Sequence, residues 1–187
     1  GFQHTCVRLN DNTVKCFGLN SNGQLGYEST ATYGTTPGSM GTSLPRVNLG
    51  SGRTAKAIAV GNAHSCALLD NNLAKCWGNA GSYQLCYGTT TGYGATINTM
   101  GDFLPIINFG TGRTVAKLFA GYDRTVALLD NNVLRGCGIN TNGALNIASA
   151  ATFGSATGDA MTNINFGTSL VPVSISSAVN NMYAVLT

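Results

Sequence analysis

A period of 60 residues runs along this chain and constrains its fold more than any other feature. The stretch HTCVRLNDNTVKCFG (4–18) returns as HSCALLDNNLAKCWG (64–78). It returns again, without its histidine and first cysteine, as RTVALLDNNVLRGCG (124–138). Gly1, Gly61 and Gly121 open the copies, and Gly18, Gly78 and Gly138 close these opening stretches. SNGQLGYES (21–29) is matched by GSYQLCYGT (81–89) and TNGALNIAS (141–149), followed by the pairs Tyr33–Gly34, Tyr93–Gly94 and Phe153–Gly154. LPRVNLGSGRTAKAIAVG and LPIINFGTGRTVAKLFAG end units 1 and 2. The weaker MTNINFGTSLVPVSISSA ends unit 3, which is three residues shorter just before it. Self-similarity at a fixed spacing marks stacked supersecondary units, none of which buries its apolar face alone. The units are 1–60, 61–120 and 121–177. The tail SSAVNNMYAVLT (176–187) aligns with a unit's opening and places Tyr183 where Cys66 stands, so 178–187 is the opening strand of a fourth.

Within each unit the pattern is β. HTCVRL and TVKCF flank an Asn/Asp turn and read as a hairpin. AKAIAV and AKLFAG are short apolar strands, and VNLG and INFG supply another. Between them, YESTATYGTTPGSMGTSLP is a Gly/Thr/Ser loop without helical periodicity. Three or four short strands per unit suit propeller blades. The fold class is therefore all-β: propeller-like blades of about 60 residues, three units plus the first strand of a fourth, not self-closing as a single chain.

Composition narrows the partners. The chain has 187 residues, enough for a core, and 43% are apolar, but 9% are charged against the usual quarter. Its surface is therefore polar through Asn, Thr, Ser and Gly. No apolar run approaches the roughly 18 residues of a membrane span, so no membrane insertion is expected. The net charge of +3 is scattered rather than clustered, so no nucleic acid is expected as a partner. The start at Gly1, without an initiator Met or signal pattern, reads as a processed or truncated product. Six cysteines in so short and neutral a chain place it in an oxidising compartment, extracellular or at the cell surface.

The stretch GNAHSCALLDNNLAKCWGN…QL resembles the bacterial and protist branch of the regulator of chromosome condensation repeat family. Its repeats carry Gly-x-x-His-Ser/Thr-x-x-Leu, an aromatic–Gly–x–Asn and a Gly–Gln–Leu–Gly element. Units 1 and 2 match over nearly their full length, unit 3 about half as well. The resemblance implies a β-propeller, usually of seven blades, in a family that includes nucleotide-exchange factors, a propeller-type β-lactamase inhibitor and surface proteins. The fold carries over better than any activity.

Propellers have four to eight blades, and this chain supplies three and part of a fourth. A blade strand without its partner exposes backbone donors and acceptors and invites pairing with another chain. The chain is a fragment of a longer one, a part of a ring with other copies, or a protomer of an open head-to-tail fibre. The last reading leads, with Val179, Met182, Tyr183 and Val185 of the tail as the assembly residues.

Cys6 and Cys16 lie symmetrically about Asp11, and Cys66 and Cys76 about Asn71. Residues equidistant from a hairpin turn face each other across the strands, so each pair is expected to form a disulfide. Cys86 stands in the place of Gly26, and Cys137 in that of Phe17 and Trp77. Both depart from the repeat pattern, and a bridge between units 2 and 3 is expected, with a free buried Cys137 as the alternative. The spacing of ten lacks the short Cys knuckle of a zinc site.

Candidates for chemistry reduce to scaffold. His4 and His64 share one repeat position and read as blade histidines bonding a neighbouring strand. Asp11, Asp70 and Asp130 read as turn residues capping their own backbone. Asp102 and Asp159 share a loop position. GSGRT (50–54) and GTGRT (110–114) look like phosphate cradles but lack the following helix. They read as tight turns whose Arg covers a blade edge. Trp77, Tyr33, Tyr93 and Phe153 are interblade packing candidates. No catalytic motif occurs, and no enzyme activity, cofactor or metal is expected. Half of residues 28–43 are Ser or Thr, no Asn-x-Ser/Thr sequon exists, and Thr30, Thr32, Thr35, Thr36 and Ser39 are candidate acceptors of O-linked sugar. The function expected is that of a non-catalytic extracellular structural protein, a fibre protomer. The alternative is a fragment of a closed propeller that binds a protein ligand, and an exchange factor comes third.

Overall fold

The computed structural model describes residues 1–140, 143, 145, 152–166, 172–177 and 182–186. Each Asn/Asp turn closes a hairpin, as its sequence requires. β1 (His4–Arg8) pairs antiparallel with β2 (Val14–Gly18), with Cys6 opposite Cys16. The turn works because Asn12 takes a φ of 62°, which Asn tolerates better than most residues. The Thr13 N–H and hydroxyl donate to Asp11 Oδ1 at 3.1 and 2.6 Å.

The next sheet joins β3 (Ala55–Val60), β4 (His64–Leu69) and β5 (Ala74–Gly78) in that order, with Cys66 opposite Cys76. Its successor is built from β6 (Val115–Gly121), β7 (Arg124–Leu129) and β8 (Leu134–Ile139). Here Val126 faces Gly136, so unit 3 has no hairpin disulfide. β8 is flanked by the two-residue strands β9 (Thr152–Phe153) and β10 (Asn163–Ile164). The last sheet is β11 (Pro172–Ser177) with β12 (Met182–Leu186). Among the described residues the chain is thus a series of small antiparallel sheets that do not close into a ring.

The sheets run out of phase with the sequence units. β3, from the end of unit 1, pairs with β4 of unit 2, and β6, from the end of unit 2, pairs with β7 of unit 3. Ala55 faces Leu69, Val115 faces Leu129 and Pro172 faces Leu186, and in all three pairs the register shifts immediately afterwards. One bulge therefore recurs three times, with Lys56, Ala116 and Val173 as the extra residue.

VNLG and INFG, expected as strands, are not strands in units 1 and 2. Each makes one ladder-like bond at its start, Val47 N–H to Val14 O at 2.8 Å and Ile107 N–H to Ala74 O at 2.9 Å. Pro45 and Pro105 precede these segments, while Gly50 and Gly110, with φ of 113° and 133°, end them. In unit 3 Thr162 stands in place of the proline and the short strand β10 forms. The aromatic–Gly motif also has a local cause. Gly18 and Gly78 both hold a φ of 106°, and a Cβ on Gly18 would lie 2.5 Å from Gln3 O.

The apolar core sits between sheets rather than within units. One cluster joins Val14, Leu25 and Leu49 of unit 1 to Leu69, Trp77 and Met100 of unit 2. A second joins Leu68, Cys76 and Leu85 of unit 2 to Leu129, Cys137 and Met161 of unit 3.

Candidate functional site: the junctions between units

The sites that recur in this molecule are its unit-to-unit junctions, and the same positions build both. His4 Nε2 lies 2.9 Å from Ser65 Oγ, and His64 Nε2 lies 3.0 Å from Thr125 Oγ1. A Ser–His pair at this distance has the spacing of a nucleophile and its base. The proton, however, runs the other way. The Ser65 hydroxyl donates to Gln24 O at 2.8 Å and the Thr125 hydroxyl to Gln84 O at 2.7 Å. Each hydroxyl has one proton, so each must accept from the imidazole, which fixes the Nε2–H tautomer and leaves Nδ1 of both rings buried without a partner. Burial holds both rings neutral. Desolvation, aided by the N-terminal charge, takes His4 to about 4, and desolvation, aided by His4, takes His64 to about 3.

A second set of contacts places a carboxylate in each GxGRT loop. Ser51 N–H and Oγ–H donate to Asp102 at 2.9 and 2.5 Å, and Thr111 N–H and Oγ1–H donate to Asp159 at 3.1 and 2.6 Å. The loops do cradle an anion, but it is the next unit's own aspartate. These hydrogen bonds hold both carboxyls below the usual range. Beside them the Lys75 ammonium donates to Leu49 O at 3.0 Å and Gly101 O at 2.7 Å. Arg135 takes the same place, donating to Phe109 O and Gly158 O at 2.6 and 2.8 Å. Burial lowers the Lys75 ammonium, against the pull of Asp102.

A correction concerns the turn aspartates. Asp11 caps its own turn, as expected, but Asp70 and Asp130 do not. They meet Arg53 and Arg113 of the preceding unit at 3.2 and 3.5 Å, and the turns are capped instead by Asn71 and Asn131. Asp70 and Asp130 stand one position earlier than Asp11, which points them across the junction rather than into the turn. Unit 1 has Asn10 there, and its Asp11 pairs with Arg46 at 2.9 Å.

Trp77 is fully buried at the junction and donates from its indole N–H to Gln24 O at 3.0 Å, as an interblade residue should. Tyr33 and Tyr93 also pack, partly buried, against the clusters shared between units, and each meets Tyr27 or Tyr87 of its own unit edge-on at a centroid distance of 5.2 Å. Tyr27 and Tyr87 are the residues sequence reasoning missed. Each accepts from a cysteine N–H, Cys16 or Cys76, and reaches that cysteine's carbonyl and a proline carbonyl. Phe153 packs partly buried against the cluster formed by Val126, Leu128, Leu134, Leu145 and Ile164 of its own unit.

Cys6–Cys16, Cys66–Cys76 and Cys86–Cys137 are joined as the sequence predicts, with Cα separations of 4.1, 4.0 and 5.4 Å. Three disulfides mark an oxidising environment. Of the tail residues, Val179 lies outside the described residues, Met182 begins β12, and Tyr183 and Val185 are exposed. The tail strand is not free for a neighbour on both edges, because β12 pairs with β11 of its own chain. Thr30, Thr32, Thr35 and Thr36 are exposed, whereas the Ser39 hydroxyl accepts from Gly34 N–H and donates to Thr36 O. Two open clefts, of about 240 and 210 Å³, flank Tyr87 and Leu134, and no charged side chain lines either.

These features recur in known proteins. The regulator of chromosome condensation (RCC1) repeat matches residues 1–24, 55–84 and 115–144, the second and third matches starting at the closing strands of units 1 and 2. Yeast RCC1 (Prp20), solved bound to Kap60, superposes with a TM-score of 0.67 at 16% identity over 99% of this chain and 41% of that one. Human WBSCR16 gives 0.51 at 17% identity, covering 99% and 56%. The ectodomain of the Physcomitrella patens receptor kinase CR4 gives 0.52 at 14% identity, covering 99% and 36%. The chain therefore spans about two-fifths of the yeast RCC1 chain, and at these identities the likeness extends to fold alone. Matched at three places about 60 residues apart, and folded as small sheets joined at repeating junctions, the chain carries RCC1 repeats and has an RCC1-like β-propeller arrangement that remains open among the described residues.

Proposed function

We propose that this chain is a non-catalytic structural protein of the extracellular space or cell surface, a protomer that joins further copies head to tail through the open faces of its first and last sheets. The observation that carries this reading is a contrast in burial between like positions. Val7 is 38% exposed, while its counterparts Ala67 and Ala127 are fully buried. Tyr183 and Val185 are 60% and 61% exposed, while Cys66 and Leu68, at the same places in unit 2, are at 0% and 5%. Ala67 belongs to the cluster shared with the preceding unit, and Cys66 and Leu68 to the cluster shared with the following one. The two uncovered faces are therefore of opposite kinds, and a contact between unlike faces propagates into a filament instead of closing a dimer. The outer edges of β1 and β12 carry no strand among the described residues and add backbone pairing to the same contact.

The disulfides suit an extracellular protomer, and the exposed threonines of the 28–43 loop would carry O-linked sugar that keeps so uncharged a surface soluble. In that case the intact mass exceeds the 19.2 kDa of the chain and falls back after β-elimination. An unmodified mass removes the sugar from the reading.

Electron micrographs of the native material are expected to contain long assemblies. Deletion of 178–187 is expected to release monomers, measured by light scattering after gel filtration. Native material without assemblies, or filaments that survive the deletion, overturns the reading. A second reading is favoured by the extent of the yeast match: a portion of a closed propeller that grips a protein ligand. Further 60-residue units in the full transcript, together with compact particles, establish it instead.

A further inference from the structure

The two junctions solve one contact in two ways. Between units 1 and 2, Gly26 lies against Trp77, so that a Cβ on Gly26 would come 2.8 Å from the indole nitrogen. Sixty residues further on, the same two positions are Cys86 and Cys137, and they are bonded. Trp77 fills the first junction among Leu25, Leu69 and Met100. Cys137 occupies the matching place among Leu85, Leu129 and Met161, with far less side chain. Two thiols there would leave space that the indole fills, and they would lack its N–H bond to the glutamine carbonyl. Such underpacking is costly because it strands the atoms lining the gap. Unit 3 also lacks the hairpin disulfide of the other two, with Val126 and Gly136 at those places. Its covalent hold among the described residues is the junction bond.

We propose that Cys86–Cys137 is an oxidation-gated latch: unit 3 closes fully onto unit 2 once this bond forms, whereas unit 2 closes onto unit 1 with no covalent bond across the junction. Both sulfurs are fully buried in the closed form, so the exchange takes place with the junction open. The oxidant is a small disulfide of the glutathione class. One cysteine thiolate attacks its S–S bond, forming a mixed disulfide and expelling one glutathione thiolate. The second cysteine thiolate then attacks the protein sulfur of that mixed disulfide and expels the other. Two electrons and two protons pass from the cysteine pair to the oxidant, which leaves as two thiols.

The test transplants one solution into the other in the full chain. In Cys86→Ala/Cys137→Ala, amide exchange across 124–139 is expected to accelerate by at least about ten-fold, while 64–78 stays within about two-fold of the parent. In Cys86→Gly/Cys137→Trp the slow exchange is expected to return without a disulfide. The reciprocal Gly26→Cys/Trp77→Cys is expected to form a new bond, read as the loss of two hydrogens in the non-reduced mass. An unchanged exchange rate in the alanine variant overturns the latch. So does a glycine–tryptophan variant no slower than the alanine one, or a reciprocal pair that stays as thiols. During oxidative refolding, trapping with iodoacetamide is expected to find 124–139 unprotected in every molecule with Cys86 and Cys137 alkylated. Protection in those molecules overturns the order of events.

Discussion

Trp77→Ala is expected to lower stability by about 3–5 kcal/mol, the range for emptying a fully buried aromatic site that cannot collapse. The indole has no exposed surface, packs against residues of two units and donates to Gln24 O, so truncation also leaves that carbonyl with one donor fewer. Urea melts of the parent and variant measure the loss as a shift of the midpoint at constant slope. Phe17 is the internal control. It holds the same repeat position in unit 1, where it is half-buried and no unit packs in front of it among the described residues. Phe17→Ala is expected to cost clearly less. Equal costs would mean that the core does not reside at the junctions.

Stability is expected to fall steeply between pH 6.5 and 4, with the fall beginning well above the range where ordinary carboxylates titrate. Both histidines are neutral when folded, with values of about 4 and about 3 against a reference of 6.5. Below 6.5 the unfolded chain binds protons that the folded chain refuses, so the folded state loses ground as pH falls, until the folded rings themselves titrate. Each pH unit across this window costs about 1.4 kcal/mol per histidine. The carboxylates act later. Asp11, Asp102 and Asp159 are held below their reference of 3.8 by bonds from Thr13, Ser51 and Thr111, so what they contribute is lost at lower pH still. Melting the parent and His64→Gln at pH 7, 6, 5 and 4 separates the two. The variant is expected to lose roughly half of the slope between 6.5 and 4. A flat profile in the parent would mean that the imidazoles are wetter than their burial indicates.

The hairpins, the period and all three disulfide pairings were legible because each follows from local spacing about a turn or from a departure from the repeat. The phase of the sheets was not. Gly1, Gly61 and Gly121 mark the start of each repeat in sequence, but hydrogen bonding begins earlier, at Ala55 and Val115, because a closing strand pairs forward with the hairpin that follows it. The junction contacts were hidden for a related reason. Ser51 and Asp102, or Lys75 and Leu49 O, are unremarkable alone and become complementary when a unit is read against its successor. Asp70 was misread because a one-residue offset from Asp11 is small in sequence yet turns the carboxylate from its own loop to the neighbour's arginine. Tyr27 and Tyr87 gave no sequence signal beyond their own recurrence.

That forward pairing has a mechanical consequence. Because β3 belongs by sequence to one unit and by its ladder to the next, and β6 does the same one unit on, pulling a single repeat out of the middle means shearing two sheets at once. Load applied along the chain is therefore shared between adjacent repeats, as in overlapped roof tiles, and the stretch resists tearing as one piece instead of paying out link by link.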